Sequence, residues 1–77
     1  MAEIIIGRNP LLEALKADRP INRILLDKRV ESRGKVAEIA RLAVGKGIPV
    51  EYVDRRVLDR QAATDAHQGV IAFAASP

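Results

Sequence analysis

The chain contains no cysteine, so neither a disulfide framework nor a thiolate metal site can form, and the cytoplasm is its natural compartment. Tryptophan is absent too, and there is one tyrosine and one phenylalanine, which leaves little aromatic surface on which nucleobases could stack. A single histidine and few hydroxyls provide no paired nucleophile and base, no metal-ligand cluster and no catalytic constellation. No glycine loop of the Walker type occurs. No apolar run is long enough to span a bilayer, and the N-terminus lacks the basic region and apolar core of a signal peptide. The expectation is a soluble intracellular protein that makes no membrane contact, binds no metal and is not an enzyme by itself.

What is present suits one small domain. Seventy-seven residues, 48% of them hydrophobic, should bury roughly 60% of the surface the unfolded chain exposes. Thirteen basic residues against ten acidic leave a net charge of +3, and nine of the thirteen are arginine. That composition tilts towards phosphate-bearing partners.

The best-specified unit is Ile4-Ile5-Ile6-Gly7-Arg8-Asn9-Pro10-Leu11-Leu12-Glu13-Ala14-Leu15. Three β-branched residues predict a strand buried on both faces, and Gly7 permits a turn that other residues resist. Asn9 is expected to cap a helix with Pro10 in its first position, the cap being worth about 1 kcal/mol. Leu11, Leu12 and Leu15 then form an apolar stripe at helical spacing. Asp18-Arg19-Pro20 closes that segment. A second strand follows over Ile21–Leu26, ending at the charged loop Asp27–Gly34, which should be exposed.

Ser32 is expected to cap a second helix that runs to about Lys46 and is stopped by Gly45 and Gly47. Its inner arc reads as Val36, Ile39, Ala40, Ala43 and Val44, with Leu42 on the polar side. Ile48–Val53 gives a third strand with Pro49 at its beginning, and Asp54 caps a third helix over Arg55–Gln61. After a polar loop, Ala62–His67, the run Val70–Ala74 is apolar throughout and therefore central in a sheet. Ser76-Pro77 reads as the start of a linker. Strands alternating with helices predict an α/β layered domain with a mainly parallel sheet.

Taken singly, Gly7-Arg8-Asn9 is equally a helix cap, His67-Gln68-Gly69 a polar loop whose glycine serves the strand after it, and Arg55-Arg56 a solvated helix face. Together with Gly47-Ile48-Pro49-Val50, and extended to Gly7–Leu15 and His67–Val70, these motifs resemble the N-terminal substrate-binding domain of SpoU/TrmH-type RNA 2'-O-ribose methyltransferases. Within that family the resemblance is nearest to the bacterial enzymes that methylate a guanosine ribose of 23S ribosomal RNA. It implies an L30e-like fold: a four-stranded mixed sheet in the order 1-4-2-3, strand 4 antiparallel, with helices on both faces. It also implies that residues 1–74 form the RNA substrate-binding domain, and that 75–77 begin a linker to a C-terminal SpoU-type domain absent from this chain. That domain binds S-adenosylmethionine and transfers the methyl group, usually in a homodimer, so this chain alone should neither bind the cofactor nor methylate.

The leading expectation is an RNA-binding module; a packing or dimerisation scaffold for the catalytic domain and a free-standing kink-turn binder are the alternatives. In a parallel sheet the turns after strands 1, 2 and 3 emerge along one edge, which gathers Arg8, Asn9, Lys28, Arg29, Arg33, Arg55 and Arg56 there. If strand 4 runs antiparallel beside strand 1, as the resemblance implies, His67 and Gln68 join them. Arg and Lys would contact phosphates, while Asn9, His67 and Gln68 would hydrogen-bond to ribose or base edges. Lys16, Arg19 and Lys46 should lie at the opposite edge.

Overall fold

A mixed sheet carries two helices on one face and a third on the other. The computed structural model describes residues 2–31, 33–64 and 66–75. Along them run β1 (Ala2–Ile6), α1 (Arg8–Lys16), β2 (Ile21–Asp27), α2 (Lys35–Lys46), β3 (Val50–Val53), α3 (Arg55–Ala62) and β4 (Val70–Ala75). The strand order is β1-β4-β2-β3. β4 is antiparallel to both β1 and β2, while β2 and β3 are parallel. The order and directions are those implied by the family resemblance. They correct the mainly parallel sheet inferred from element order, because β4 inserts between β1 and β2 and leaves β2 with β3 as the one parallel ladder among the described strands. Ala75, placed by the sequence reading in a linker, pairs with Ala2; Ser76 and Pro77 lie outside the described residues.

The larger core layer lies between the sheet and α1 and α2. Leu11 and Leu15 of α1 and Ile39 of α2 are completely enclosed there, each contributing about 1.5–3 kcal/mol from the apolar surface removed from water. On the other face Leu58 of α3 packs against Leu25 and Ile71. A bulge at Asn22 makes this division possible: Ile21 pairs with Ala74 and Arg23 with Phe73, so β2 spends one extra residue there. The extra residue resets the alternation, and Ile21, Ile24 and Leu26 all reach the α1/α2 layer. Arg23 is turned to the other face, where its guanidinium lies 4.7 Å above the Phe73 ring and 3.7 Å from Glu51.

Several expected details shift for local reasons. β1 is an edge strand, so Ile4 remains 42% exposed while Ile5 is buried. Gly7, at φ 101, lets α1 begin at Arg8 with no side-chain cap. Asn9 is therefore inside the first turn rather than capping it, and Pro10 is the third helical residue, where its missing N–H would have been unpaired anyway. Ser32 lies outside the described residues; Gly34 is the residue that precedes α2, again without a side-chain cap. Gly45 is inside α2 and Gly47 ends it, and Ile48 and Pro49 precede β3 rather than belonging to it.

Leu42 and Val44 exchange their expected roles. Leu42 packs against the core while Val44 is 79% exposed. Each lies roughly 100° from the centre of the buried arc set by Val36, Ile39 and Ala43, so helical angle does not decide between them. The longer leucine side chain can lean back over the preceding turn to the core, whereas the short valine cannot. Asp54 caps α3 as expected, accepting from the Arg56 N–H. Among the described residues no helix is long and apolar enough to cross a membrane.

Candidate functional site

The ends of β1, β2 and β3 and the beginning of β4 meet at one edge, as the pairings of Ile6 with Ile71, Leu26 with Val70 and Asp27 with Val53 require. Backbone bonds tie the turns together there. Gly7 N–H donates to the Val70 carbonyl at 3.0 Å, Asp27 N–H to Gly69 at 2.9 Å and Lys28 N–H to Val53 at 2.9 Å.

A depression of about 960 Å³ opens along this edge, lined by Arg8, Lys28, Arg29, Arg33, Arg55, Arg56 and Gln68. These are seven of the nine candidate residues. Arg8 begins α1 and donates through Nε to the Gln68 carbonyl at 3.3 Å. Lys28 and Arg29 follow β2; Lys28 Nζ lies 3.7 Å from Asp54, and Arg29 donates its backbone N–H to the Asp27 carboxylate at 2.9 Å. Arg33 is strongly exposed and paired with Glu31. Arg55 and Arg56 open α3, with Arg55 Nε 4.0 Å from Asp59. Exposed pairs of this kind are each worth about 0–1 kcal/mol, so the cations can exchange these partners for phosphates at small cost.

The remaining two candidates sit differently. Asn9 accepts from Lys35 Nζ and so joins the first turns of α1 and α2. His67 does not face outward, although the sequence places it in a polar loop. Its ring is completely buried, Nε2 is 2.6 Å from Asp59 Oδ1, and Nδ1 accepts the Gly69 N–H at 2.9 Å. With both nitrogens engaged, the imidazole has none left for direct hydrogen bonding to a ligand.

The acidic residues of this edge do not stand out in the sequence as site residues. Asp27, assigned to an exposed loop, ends β2 only 7% exposed, and its carboxylate shapes the turn by taking the Arg29 N–H. Asp54, Asp59 and Glu31 also line the depression. The signal for Asp59 was its position four residues after Arg55, the spacing of neighbours on a helix. The Arg56 N–H bonded to Asp54 holds that carboxyl below the usual carboxylate range, and nearby Lys28 adds to the effect against a partial loss of solvation. At the far edge Asp18, Arg19 and Lys46 lie together beside Pro20. Lys46 lowers the Asp18 carboxyl in the same way, by hydrogen bonding and by its charge.

Six basic and four acidic side chains line the depression, and Val30 is its one large apolar side chain among the described residues. Neither Tyr52 nor Phe73 lines it. No group of three potential metal ligands occurs among the described residues. The arrangement sets exposed cations around a hydrogen-bonded turn, a chemistry suited to phosphate groups.

Comparison with known proteins gives the family of the chain and a neighbour of the same fold. A family model described as RNA 2'-O ribose methyltransferase substrate binding matches residues 4–77. An uncharacterized tRNA/rRNA methyltransferase of Mycolicibacterium vanbaalenii is 40% identical over 68 residues, covering 88% of this chain and 22% of the relative. A putative TrmH family tRNA/rRNA methyltransferase of Bacillus subtilis is 35% identical over 74 residues, covering 96% of this chain and 29% of the relative. The chain thus spans less than a third of the length of these relatives. A solved protein of unknown function from Bacillus halodurans superposes with a TM-score of 0.71 at 16% identity, over 95% of this chain and 71% of that one, and shares the fold.

Proposed function

The chain belongs to the family of RNA 2'-O ribose methyltransferase substrate-binding domains, and from that membership we propose that its basic edge is the surface that takes hold of RNA. The observation that carries the reading is the meeting of four separate chain segments, each bearing charge or an amide, in one depression. Arginine and lysine hold phosphates there and set the position of the RNA, while the Gln68 amide reaches ribose or base edges. With the aromatic residues elsewhere, the surface reads backbone and shape more than it stacks bases.

The finer reading is a 23S ribosomal RNA in which a guanosine ribose is the target. S-adenosylmethionine would supply the methyl group in a catalytic domain of the longer polypeptide, which works in the cytoplasm as a homodimer. The tRNA/rRNA methyltransferase names of much longer relatives support a separate catalytic portion. The lining supports a place for that cofactor outside this domain: its surplus of cations repels a sulfonium, and Val30 is the one large apolar side chain there, among the described residues, against which an adenine could lie. The role of this domain is to present the RNA.

The test is a titration of the chain with a fluorescein-labelled fragment of 23S ribosomal RNA at increasing salt. About three to five phosphate contacts, at roughly 0.7–0.9 per phosphate, give a log–log slope near −2 to −4. A flat response would instead favour a domain that serves as a scaffold for its neighbours.

A further inference from the structure

The candidate residue that does not reach the surface is the one whose bonding is most fully specified. Burying an imidazole costs free energy unless its nitrogens are bonded, and an apolar side chain would fill the same space without that cost. His67 is nevertheless completely enclosed, and its two nitrogens do different work. Because Nδ1 accepts the Gly69 N–H, the ring proton lies on Nε2, which donates to Asp59 Oδ1 at 2.6 Å. A charged imidazolium would set a second hydrogen against the Gly69 N–H.

Above the ring, Gln68 and Gly69 both adopt left-handed backbone, at φ 55 and 76. For Gln68 that conformation is sparsely populated and needs outside support. The same turn shows the Gln68 carbonyl to Arg8 and the Gly69 carbonyl to Asp27 N–H. Asp59 in turn stands 4.0 Å from Arg55 Nε. A continuous line of polar contacts therefore runs under the depression, from Arg55 through Asp59, His67 and the Gln68–Gly69 turn to Arg8.

We propose that His67 is the positioning residue of the RNA-holding edge: anchored on Asp59, it fixes the left-handed Gln68–Gly69 turn that aims Arg8 and the Gln68 amide at the RNA. The role rests on the RNA-binding function proposed above, and it assigns His67 no contact with RNA.

Asp59 gives the discriminating test, since it is half-exposed and its replacement removes no apolar core side chain. It is also an acid in a basic depression, so a purely electrostatic role makes any neutral replacement bind RNA more tightly. Positioning gives the opposite sign for Asp59→Ala, which removes the anchor: affinity for the labelled 23S fragment falls about threefold or more, while Asp59→Asn, which keeps an acceptor for Nε2–H, binds at least as well as the parent. His67→Leu fills the space without an acceptor and is expected to weaken binding about tenfold, and His67→Asn, whose amide oxygen can take the Gly69 N–H, restores most of it.

An NMR measurement without RNA reads the turn directly. The parent shows an unprotonated Nδ1, and the Gly69 amide exchanges faster in His67→Leu and Asp59→Ala than in the two rescuing variants. Tighter RNA binding by Asp59→Ala, or an unchanged Gly69 amide in both disruptive variants, overturns the positioning role alone. If the amide responds as described but neither these variants nor Arg8→Ala alters RNA affinity, the turn is clamped for another purpose, and the RNA function fails together with this role.

Discussion

Arg8 and Gln68, 60 residues apart in sequence, are joined by a hydrogen bond from the guanidinium Nε to the peptide carbonyl at 3.3 Å. The bond crosses from the first residue of α1 to the turn that leads into β4. It exists because β4 runs against β1 and begins where β1 ends, with Ile6 opposite Ile71. Two short motifs with little meaning apart thereby become one side of the same depression.

Arg8→Ala and Gln68→Ala should both weaken binding of the 23S fragment without unfolding the chain. Losing Arg8 removes a phosphate contact and should reduce the magnitude of the salt slope by about 1. Gln68→Ala leaves the carbonyl that receives Arg8 in place, so it isolates the side-chain amide, worth about 1 kcal/mol or roughly fivefold in affinity. Lys16 and Lys46 are paired with Glu38 and Asp18, with Lys46 at the far edge, and their replacement by alanine should change binding little. Equal effects from all four substitutions would move the RNA surface away from this edge.

Gly69→Ala should be more damaging than its size suggests. The backbone φ of 76 disfavours any side chain, and the new Cβ would stand 3.3 Å from the Cβ of Asp27. A loss of more than about 1 kcal/mol in stability is expected from the backbone alone, and RNA affinity should fall as well because the strained turn carries Gln68. Urea titration and fluorescence anisotropy separate the two effects.

The strands and helices were legible because each carries a period or a stop: the isoleucine run of β1, the leucines of α1, the Asp54 cap, the uniform apolarity of β4. The sheet's strand order and directions came from the resemblance of Gly7–Leu15 and His67–Val70 to a known family, since element order alone suggested a mainly parallel sheet. The bulge at Asn22 was hidden, because Ile21-Asn22-Arg23-Ile24 shows no break in sequence and its register depends on β4 across the sheet. Of the site, the basic residues could be gathered by topology, as they sit at strand ends. The burial of His67 could not, because a polar residue beside Gln and Gly has the composition of a loop, and its partner Asp59 belongs to a different element.

Leu42 and Val44 give a test of packing free of any functional reading. Leu42→Ala removes a side chain that is packed against the core but only partly buried, and should cost about 1–2 kcal/mol, below the range of fully buried leucines. Val44→Ala exchanges an exposed β-branched residue for the best helix former and should leave stability within about 0.5 kcal/mol, on the stabilising side. Similar losses for both would return Val44 to the core face of α2.

The Asp54 cap should make part of the stability sensitive to acid. Its carboxyl is held below the usual range in the folded chain, first by the Arg56 N–H and then by Lys28, whereas in the unfolded chain it titrates near 3.9. As pH falls, the unfolded state therefore takes up the proton first. The contribution is fully present above the unfolded value and is lost as pH falls through about 4 towards the folded one. Other carboxylates, Asp18 among them, titrate in the same window, so the informative quantity is a difference between variants. Asp54→Asn keeps a good capping side chain that does not titrate. Near pH 7 it should be close to the parent in urea midpoint, and between about pH 5 and 2 it should lose less stability than the parent. Asp54→Ala should be less stable at pH 7, with the same shallow acid limb as Asn. If parent and Asp54→Asn fall in parallel as the pH is lowered, the Arg56 N–H is not what holds the proton off Asp54, and the beginning of α3 owes its stability to Leu58 beneath it rather than to its cap.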